Sequence, residues 1–376
     1  MRTVRLLVTL ALVGVACTAA PSQPPGSGSS SPPVGTFLAS GAAVPEGCAE
    51  SSPSGVETIE FVAGARAWAL DPSGGGLTCL FPTDDPGPFA WGPQGDRVLL
   101  GGLEVRGVEP EALTHPNTGE TISAFDWGHP HGIAIVYADP STDGAHKLYL
   151  EDQRFGELTS LPSGRYLQIA YHPSGLALAF VVERNDRQSI WLSTNEGKQA
   201  ERLVFSEVGT TYPSIAFTSN GKLLYWTAQH AEGYPEIHWM RLDDRSSFAS
   251  GWKGTDQTIS NLRLAPGTSS WQAFDLGDAC DDRQATLVHG AGDATPALDA
   301  GLGSSSVVGW LSPTTVLVAA GSCAGPLDVY AVDVDGFGVT PLVSGVTIAA
   351  SRAPAPATPL RVPTPTDEEP PPGGLG

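Results

Sequence analysis

The stretch Phe89–Leu100, FAWGPQGDRVLL, reads as a strand ending on an aromatic residue, a tight Gly/Pro turn and a second strand. The same phrase returns as FDWGHPHGIAIVY (125–137), IAYHPSGLALAFV (169–181), IAFTSNGKLLYW (215–226), LRLAPGTSSWQAF (262–274) and VGWLSPTTVLVAA (308–320). Its anchors Trp91, Trp127, Tyr171, Phe217, Leu264 and Trp310 are spaced 36, 44, 46, 47 and 46 residues apart. Strand-and-turn units repeating every 40–50 residues or so are the mark of a β-propeller, in which each small sheet buries its faces against its neighbours.

Between the anchors each unit reads as four strands. The second gives ISAFDW, GIAIVYAD, HKLYLED and FGELTSL; the third gives YLQIAYH, GLALAFVVE, SIWLST and ERLVFS. Alternation in HKLYLED and EIHWMRL fits strands of a packed sheet. Asp71-Pro72-Ser73-Gly74 and Asp333-Val334-Asp335-Gly336 fit turns between third and fourth strands. After the sixth unit, VSGVTIAASRAP from Val343 reads as one more innermost strand without successors. At the other end VETIEFVAG, RAWALDPSGG and LTCLF, from Val56, read as second, third and fourth strands without a first. Joined, they complete a seventh blade and close an all-β ring of four-stranded antiparallel blades, leaving no exposed sheet edge. Seven blades over residues 55–352 require about 43 residues each; the alternative, six, requires about 50 and strands unpaired at both ends.

Composition agrees. Hydrophobic residues make up 41% and charged residues 16% of 376, with 45 Gly and 33 Pro, which suits many short strands and tight turns. Residues 1–16 read as an export signal: Arg2 and Arg5, then the apolar run LLVTLALVGVA, too short to span a bilayer. Cys17 after VGVA resembles the acylation site of a bacterial lipoprotein, with Gly14 where that motif usually carries Leu; ordinary cleavage near TAAPS, giving a secreted protein, is the alternative. Residues 17–45 are expected to be the lipidated Cys and a Pro/Ser/Gly tether, 46–352 the propeller, and 353–376 a disordered Pro-rich tail. Without the signal the chain carries 18 basic and 40 acidic side chains, a formal charge of −22. That excess excludes nucleic acid as a natural partner and leaves lipid as the only membrane attachment.

With Cys17 assigned to lipid, Cys48, Cys79, Cys280 and Cys323 form an even set. Cys280 follows Leu264 by 16 residues and Cys323 follows Trp310 by 13, so both fall after the second strand of neighbouring units. Equivalent loops of adjacent blades lie side by side, which predicts Cys280–Cys323 and, with it, Cys48–Cys79. A metal site is the alternative, but no CxxC or clustered His accompanies these cysteines.

The segment RAWALDPSGGGLTCLFPTDDPGPFAWGPQGDRVLL, from Arg66 to Leu100, resembles the TolB-type, WD-like (PD-type) propeller repeat. Trp91, Pro93, Gln94 and Gly95 occupy its Trp-Ser-Pro-Asp-Gly positions; Tyr171, Pro173, Ser174 and Gly175, then Asn220 and Gly221, repeat them. The resemblance covers residues 55–352 and implies the fold. It also extends to propeller domains of peptidases, although no α/β-hydrolase domain follows. A TolB role as periplasmic partner of an outer-membrane lipoprotein is not carried over, because this chain reads as a lipoprotein itself.

Motifs for chemistry are few. His129-Pro130-His131, with His172 in the equivalent turn of the next blade, could share an ion, but they stand where other units have plain turns. Asp275, Asp278, Asp281 and Asp282 surround Cys280 without the spacing of a calcium loop, and Asp139-Pro-Ser-Thr-Asp143-Gly144 reads likewise as a solvated turn. There is no GxSxG (GSSS at Gly303 lacks the second Gly), HExxH, Walker loop or dinucleotide fingerprint. Trp68, Trp91, Trp127 and Trp191 read as blade packing. No metal or cofactor is expected. The candidate binding face is formed by loops on the disulfide-bearing side: Arg184, Asp186 and Arg187 in the third blade, His230, Glu232 and Tyr234 in the fourth. The expectation is a monomeric, extracytoplasmic, lipid-anchored scaffold that binds an envelope protein, peptide or glycan without catalysis. A lyase or hydrolase, or a small-ligand sensor, with its site at the channel mouth is the alternative.

Overall fold

The computed structural model describes residues 36–37, 43–45, 48–51, 59–83, 90–91, 97–100, 104–107, 111–112, 121–127, 133–138, 146–151, 155–157, 162–175, 177–194, 199–267, 270–323 and 325–351, and all that follows concerns these. They form seven antiparallel sheets. Sheet I holds Ala90–Trp91, Arg97–Leu100, Glu104–Gly107 and Glu111–Ala112; sheet II holds Thr121–Trp127, Ile133–Ala138, His146–Glu151 and Phe155–Glu157. Sheet III is Arg165–Tyr171, Ala177–Arg184, Arg187–Thr194 and Gln199–Phe205; sheet IV is Thr211–Phe217, Leu223–Gln229, Pro235–Arg241 and Ser247–Lys253. Sheet V is Ile259–Leu264, Trp271–Leu276, Gln284–His289 and Thr295–Pro296. Sheet VI is Ser304–Ser312, Thr315–Gly321, Leu327–Asp333 and Val339–Val346, with Thr36–Phe37 added at its outer edge. Sheet VII takes its first strand, Ile348–Ser351, from the far end of the chain and the others, Ile59–Ala63, Arg66–Leu70 and Thr78–Pro82, from the near end.

The core lies between sheets. Ala179, Val181, Ile190 and Leu192 of sheet III meet Tyr212, Leu224, Trp226 and Met240 of sheet IV. Ile237 and Trp252 meet Ile259, Phe274 and Val288 across IV and V, and equivalent clusters join V to VI and VI to VII. Second strands are covered on both faces, so Ala177–Val182 is an unbroken buried run, whereas the outermost strand Ser247–Lys253 is mostly exposed. The first strands of consecutive sheets lie side by side, in the order II, III, IV, V, VI, VII, I.

Polar bolts tie the first strands of sheets III to VI to the sheet before each. The register slips within the first-to-second strand pairing of sheets III, IV, V and VI; in IV, V and VI it frees a backbone donor beside the bulge, while in III the donor, Tyr171 N, lies at the end of the strand. A side chain of the preceding sheet accepts them: Asp126 Oδ2 from Tyr171 N (2.6 Å), Gln188 Oε1 from Tyr212 N (2.6 Å), Ser214 Oγ from Leu262 N (2.9 Å) and Asp275 Oδ1 from Val307 N (2.7 Å). A buried amide left without an acceptor costs about 1–3 kcal/mol, so these bolts set how neighbouring sheets seat.

Cys48 is joined to Cys79 and Cys280 to Cys323. Two such bridges fit an oxidising, extracytoplasmic setting. The stretch read as a free tether needs one correction. Thr36 and Phe37 pair with Ser344 and Val343, and Val44 is buried at 2% exposure in the cluster shared by sheets VI and VII. The open edge of sheet VI offers unpaired backbone groups, and residues 36–37 satisfy part of that row. Among the described residues no helix is long and apolar enough to cross a membrane.

Candidate functional site

The expected binding residues fall in two equivalent hairpins, each joining the second strand of its sheet to the third. In sheet III, Arg184 and Arg187 are paired across a two-residue turn whose residues Asn185 (φ 53°) and Asp186 (φ 57°) both adopt the left-handed conformation. That is the type I′ turn that matches strand twist, so Asp186 serves the backbone first. The Arg187 guanidinium lies 4.3 Å from the centre of the Phe205 ring and that of Arg202 lies 5.0 Å from it, yet Phe205 stays 47% exposed.

In sheet IV the turn runs through Ala231, Glu232 and Gly233, closed by Gly233 N donating to His230 O and His230 N to Tyr234 O. Gly233 sits at φ 90°, which a side chain rarely adopts. The turn sets His230 opposite Tyr234, and their rings stack 4.5 Å apart at 25°. The two hairpins are bridged by the loop from sheet III to sheet IV. Ser206 N donates to Gln188 O, and Gly209 passes so close to Ala231 that a Cβ there would lie 2.8 Å from the alanine methyl. Val208, 75% exposed, projects from this bridge. Arg187, Phe205, Val208 and the His230–Tyr234 turn thus belong to one continuous surface.

Behind His230 the structure brings in two residues that the motif search passed over. Glu236 and His238, two apart on Pro235–Arg241, share one face of the strand. Glu236 Oε2 is 3.3 Å from His230 Nε2 and 3.2 Å from His238 Nε2. The third-to-fourth strand pairing bulges, matching His238 with Ala249 but Glu236 with Lys253, which puts Lys253 Nζ 3.7 Å from Glu236 Oε1 and 3.3 Å from the centre of the Tyr234 ring. The His238 ring lies flat on Trp226, 5.5 Å away at 9°. Burial lowers the His238 pKa, and the Glu236 charge opposes this only in part. The signal available in the sequence was Glu-x-His on a strand with a His just across a tight turn; only the hairpin register makes it a cluster.

The other candidates are accounted for structurally where described. His172 is 1% exposed; its Nδ1 meets Ser174 Oγ at 2.7 Å and its Nε2 meets the Gly221 carbonyl of the next sheet at 2.9 Å. Both nitrogens are spent joining sheets III and IV. Asp275 is a buried bolt that also accepts from Asn261 Nδ2 and Ser306 Oγ, while Asp278 accepts from Thr258 N and Asp282 from Ala279 N. Trp68 is buried at 2%, and Trp191 donates to Ser189 Oγ. His129, His131, Asp139, Asp143 and Cys17, with the side chains of Trp91 and Trp127, lie outside the described residues.

No protein-family model matches the chain, and no curated protein matches it in sequence. Among solved structures it is similar to a prolyl endopeptidase, at TM-score 0.56 and 12% identity over 81% of this chain and 50% of that one. It is also similar to oligogalacturonate lyase in complex with manganese, at TM-score 0.52 and 10% identity over 71% of this chain and 82% of that one. TolB from Acinetobacter baumannii aligns over 80% of this chain and 68% of its own, with 15% identity and a TM-score of 0.49, at which nothing is argued from it. The chain spans about half the length of the endopeptidase it matches. At such identities the likeness concerns architecture alone, and the fold is that of a β-propeller.

Proposed function

We propose that this protein is an extracytoplasmic scaffold: a seven-bladed propeller, closed by its composite sheet VII and held to a membrane through lipid on Cys17, that binds an envelope protein without catalysis. Seven blades are supported by the seven sheets and by the side-by-side order of their first strands. The observation that carries the binding role is the surface around Phe205. An aromatic ring 47% exposed yet held by two guanidinium groups 4.3 Å and 5.0 Å from its centre loses little freedom when a partner docks. Arg and aromatic residues are also the side chains that dominate interface energies. The disulfide-bearing loops and the bolts beneath hold this face in one shape. A peptide or glycan could occupy the same face; a flat aromatic–arginine surface suits a protein best.

The test is photo-crosslinking in the native cell with the reactive group at Arg187 or Tyr234, and at Asp335 on the opposite face as control. Capture of one abundant protein from positions 187 and 234 but not 335 is expected, with Cys17→Ala releasing the protein from the membrane fraction. Equal capture from both faces, or none, overturns the reading and returns weight to a lyase, hydrolase or sensor site at the channel mouth.

A further inference from the structure

The geometry points to a binding site for a divalent transition-metal cation of the zinc class, held by His230 Nε2, His238 Nε2 and Glu236 Oε2. Among the described residues these three form a group whose ligand atoms all lie within 4.8 Å of one another. Two ligand atoms each about 2.0–2.1 Å from Zn2+ at the tetrahedral angle stand about 3.3–3.4 Å apart. The observed separations from Glu236 Oε2 are 3.3 Å and 3.2 Å, so two of the three edges already match the spacing that the cation requires. His230 Nε2 is buried and, although Glu236 Oε2 is 3.3 Å away, makes no hydrogen bond of good geometry. Two imidazoles and one carboxylate select the zinc class over calcium or magnesium, which want oxygen alone.

The surroundings hold the three ligands in place. Trp226 lies flat against the His238 ring and Tyr234 against the His230 ring, fixing the planes of both imidazoles. Lys253 holds Glu236 Oε1, which turns Oε2 toward the histidines. Metal on Nε2 of each imidazole leaves Nδ1 as the ring nitrogen that carries the proton. Three protein ligands leave one tetrahedral position for water or for a ligand from outside the chain. The site stands independently of the scaffold reading, because metal alone is its probe.

The experiment titrates the intact, chelator-stripped protein with Zn2+ by calorimetry and with Co2+ by visible absorption. One equivalent is expected, with the intense d–d bands of tetrahedral Co2+. His238→Ala and Glu236→Gln are expected to weaken binding by about 100-fold or more, and His129→Ala/His131→Ala to leave it unchanged. His230→Gln, on the exposed turn, serves as the variant least able to disturb folding, and circular dichroism checks all of them. Equal affinity in wild type and the three ligand variants, loss of binding in the His129/His131 variant instead, or no binding at millimolar Zn2+ overturns the assignment.

Discussion

Glu60 makes the sharpest test of how the sheets are seated. It lies in the second strand of sheet VII, directly between Ala69 and Ala350, fully buried, and neither carboxyl oxygen has a hydrogen-bond partner among the described residues. Burial raises its pKa well above the ordinary carboxyl range. The sign of the effect on stability follows. An unfolded Glu ionises near pH 4.3, roughly, while the folded one keeps its proton, so unfolding releases a proton. The stabilising contribution of the protonated group is therefore fully present below the unfolded pKa and is lost as pH rises toward the folded pKa. Across that window each pH unit removes about 1.4 kcal/mol. Glu60→Gln removes the proton linkage but leaves a polar group without partners, which itself costs about 1–3 kcal/mol. Glu60→Met removes both. At pH 7 the Met variant is expected to be more stable than wild type by about 2–4 kcal/mol, a rise in melting temperature of roughly 3–6 °C for a domain of about 300 residues. Melting curves recorded from about pH 5 to about pH 8 on all three proteins isolate the effect, since every other titrating group is shared. The wild type should fall away from both variants as pH rises. Parallel curves, or a Met variant less stable than wild type at pH 7, would show that the carboxylate is paired and refute the reasoning.

Three further outcomes are expected. Asp275→Ala orphans Val307 N and removes the acceptor of Ser306 Oγ at the junction of sheets V and VI, leaving Asn261 Nδ2 only the Val307 carbonyl, and should cost about 2–3 kcal/mol in urea unfolding; a loss under about 1 kcal/mol would mean water replaces the carboxylate. Cys280→Ser/Cys323→Ser opens a bridge spanning 43 residues; the chain-entropy contribution is on the order of 3–4 kcal/mol, so calorimetry should show a clear drop in melting temperature, and an unchanged one would exclude a stabilising bridge. Phe205→Ala, at an exposed ring, should leave stability within about 0.5 kcal/mol yet reduce partner capture in the crosslinking assay by about 30-fold; undiminished capture would place the binding energy elsewhere.

Sequence alone determined the repeating part of this protein. The spacing of Trp91, Trp127, Tyr171, Phe217, Leu264 and Trp310 and the orphan strands at either end specify four-stranded units and their composite partner, because the periodicity of apolar residues is a local property of each strand. The Cys280–Cys323 pair followed from the same repeat, since equivalent loops of neighbouring units must be close, and Cys48–Cys79 followed as the pair that remained. The tertiary structure alone decided what the polar residues do. Asp275 stood in an acidic run and proved to be an inter-sheet bolt; His172 read as part of a plain turn, and both its nitrogens join two sheets. Glu236 and His238 carried no motif, yet the register of one hairpin and the bulge opposite Lys253 bring their side chains to a single point beside His230. A strand pattern records which face a residue is on; which atoms meet depends on register, bulges and neighbouring sheets, and those are set by contacts between residues far apart in the chain.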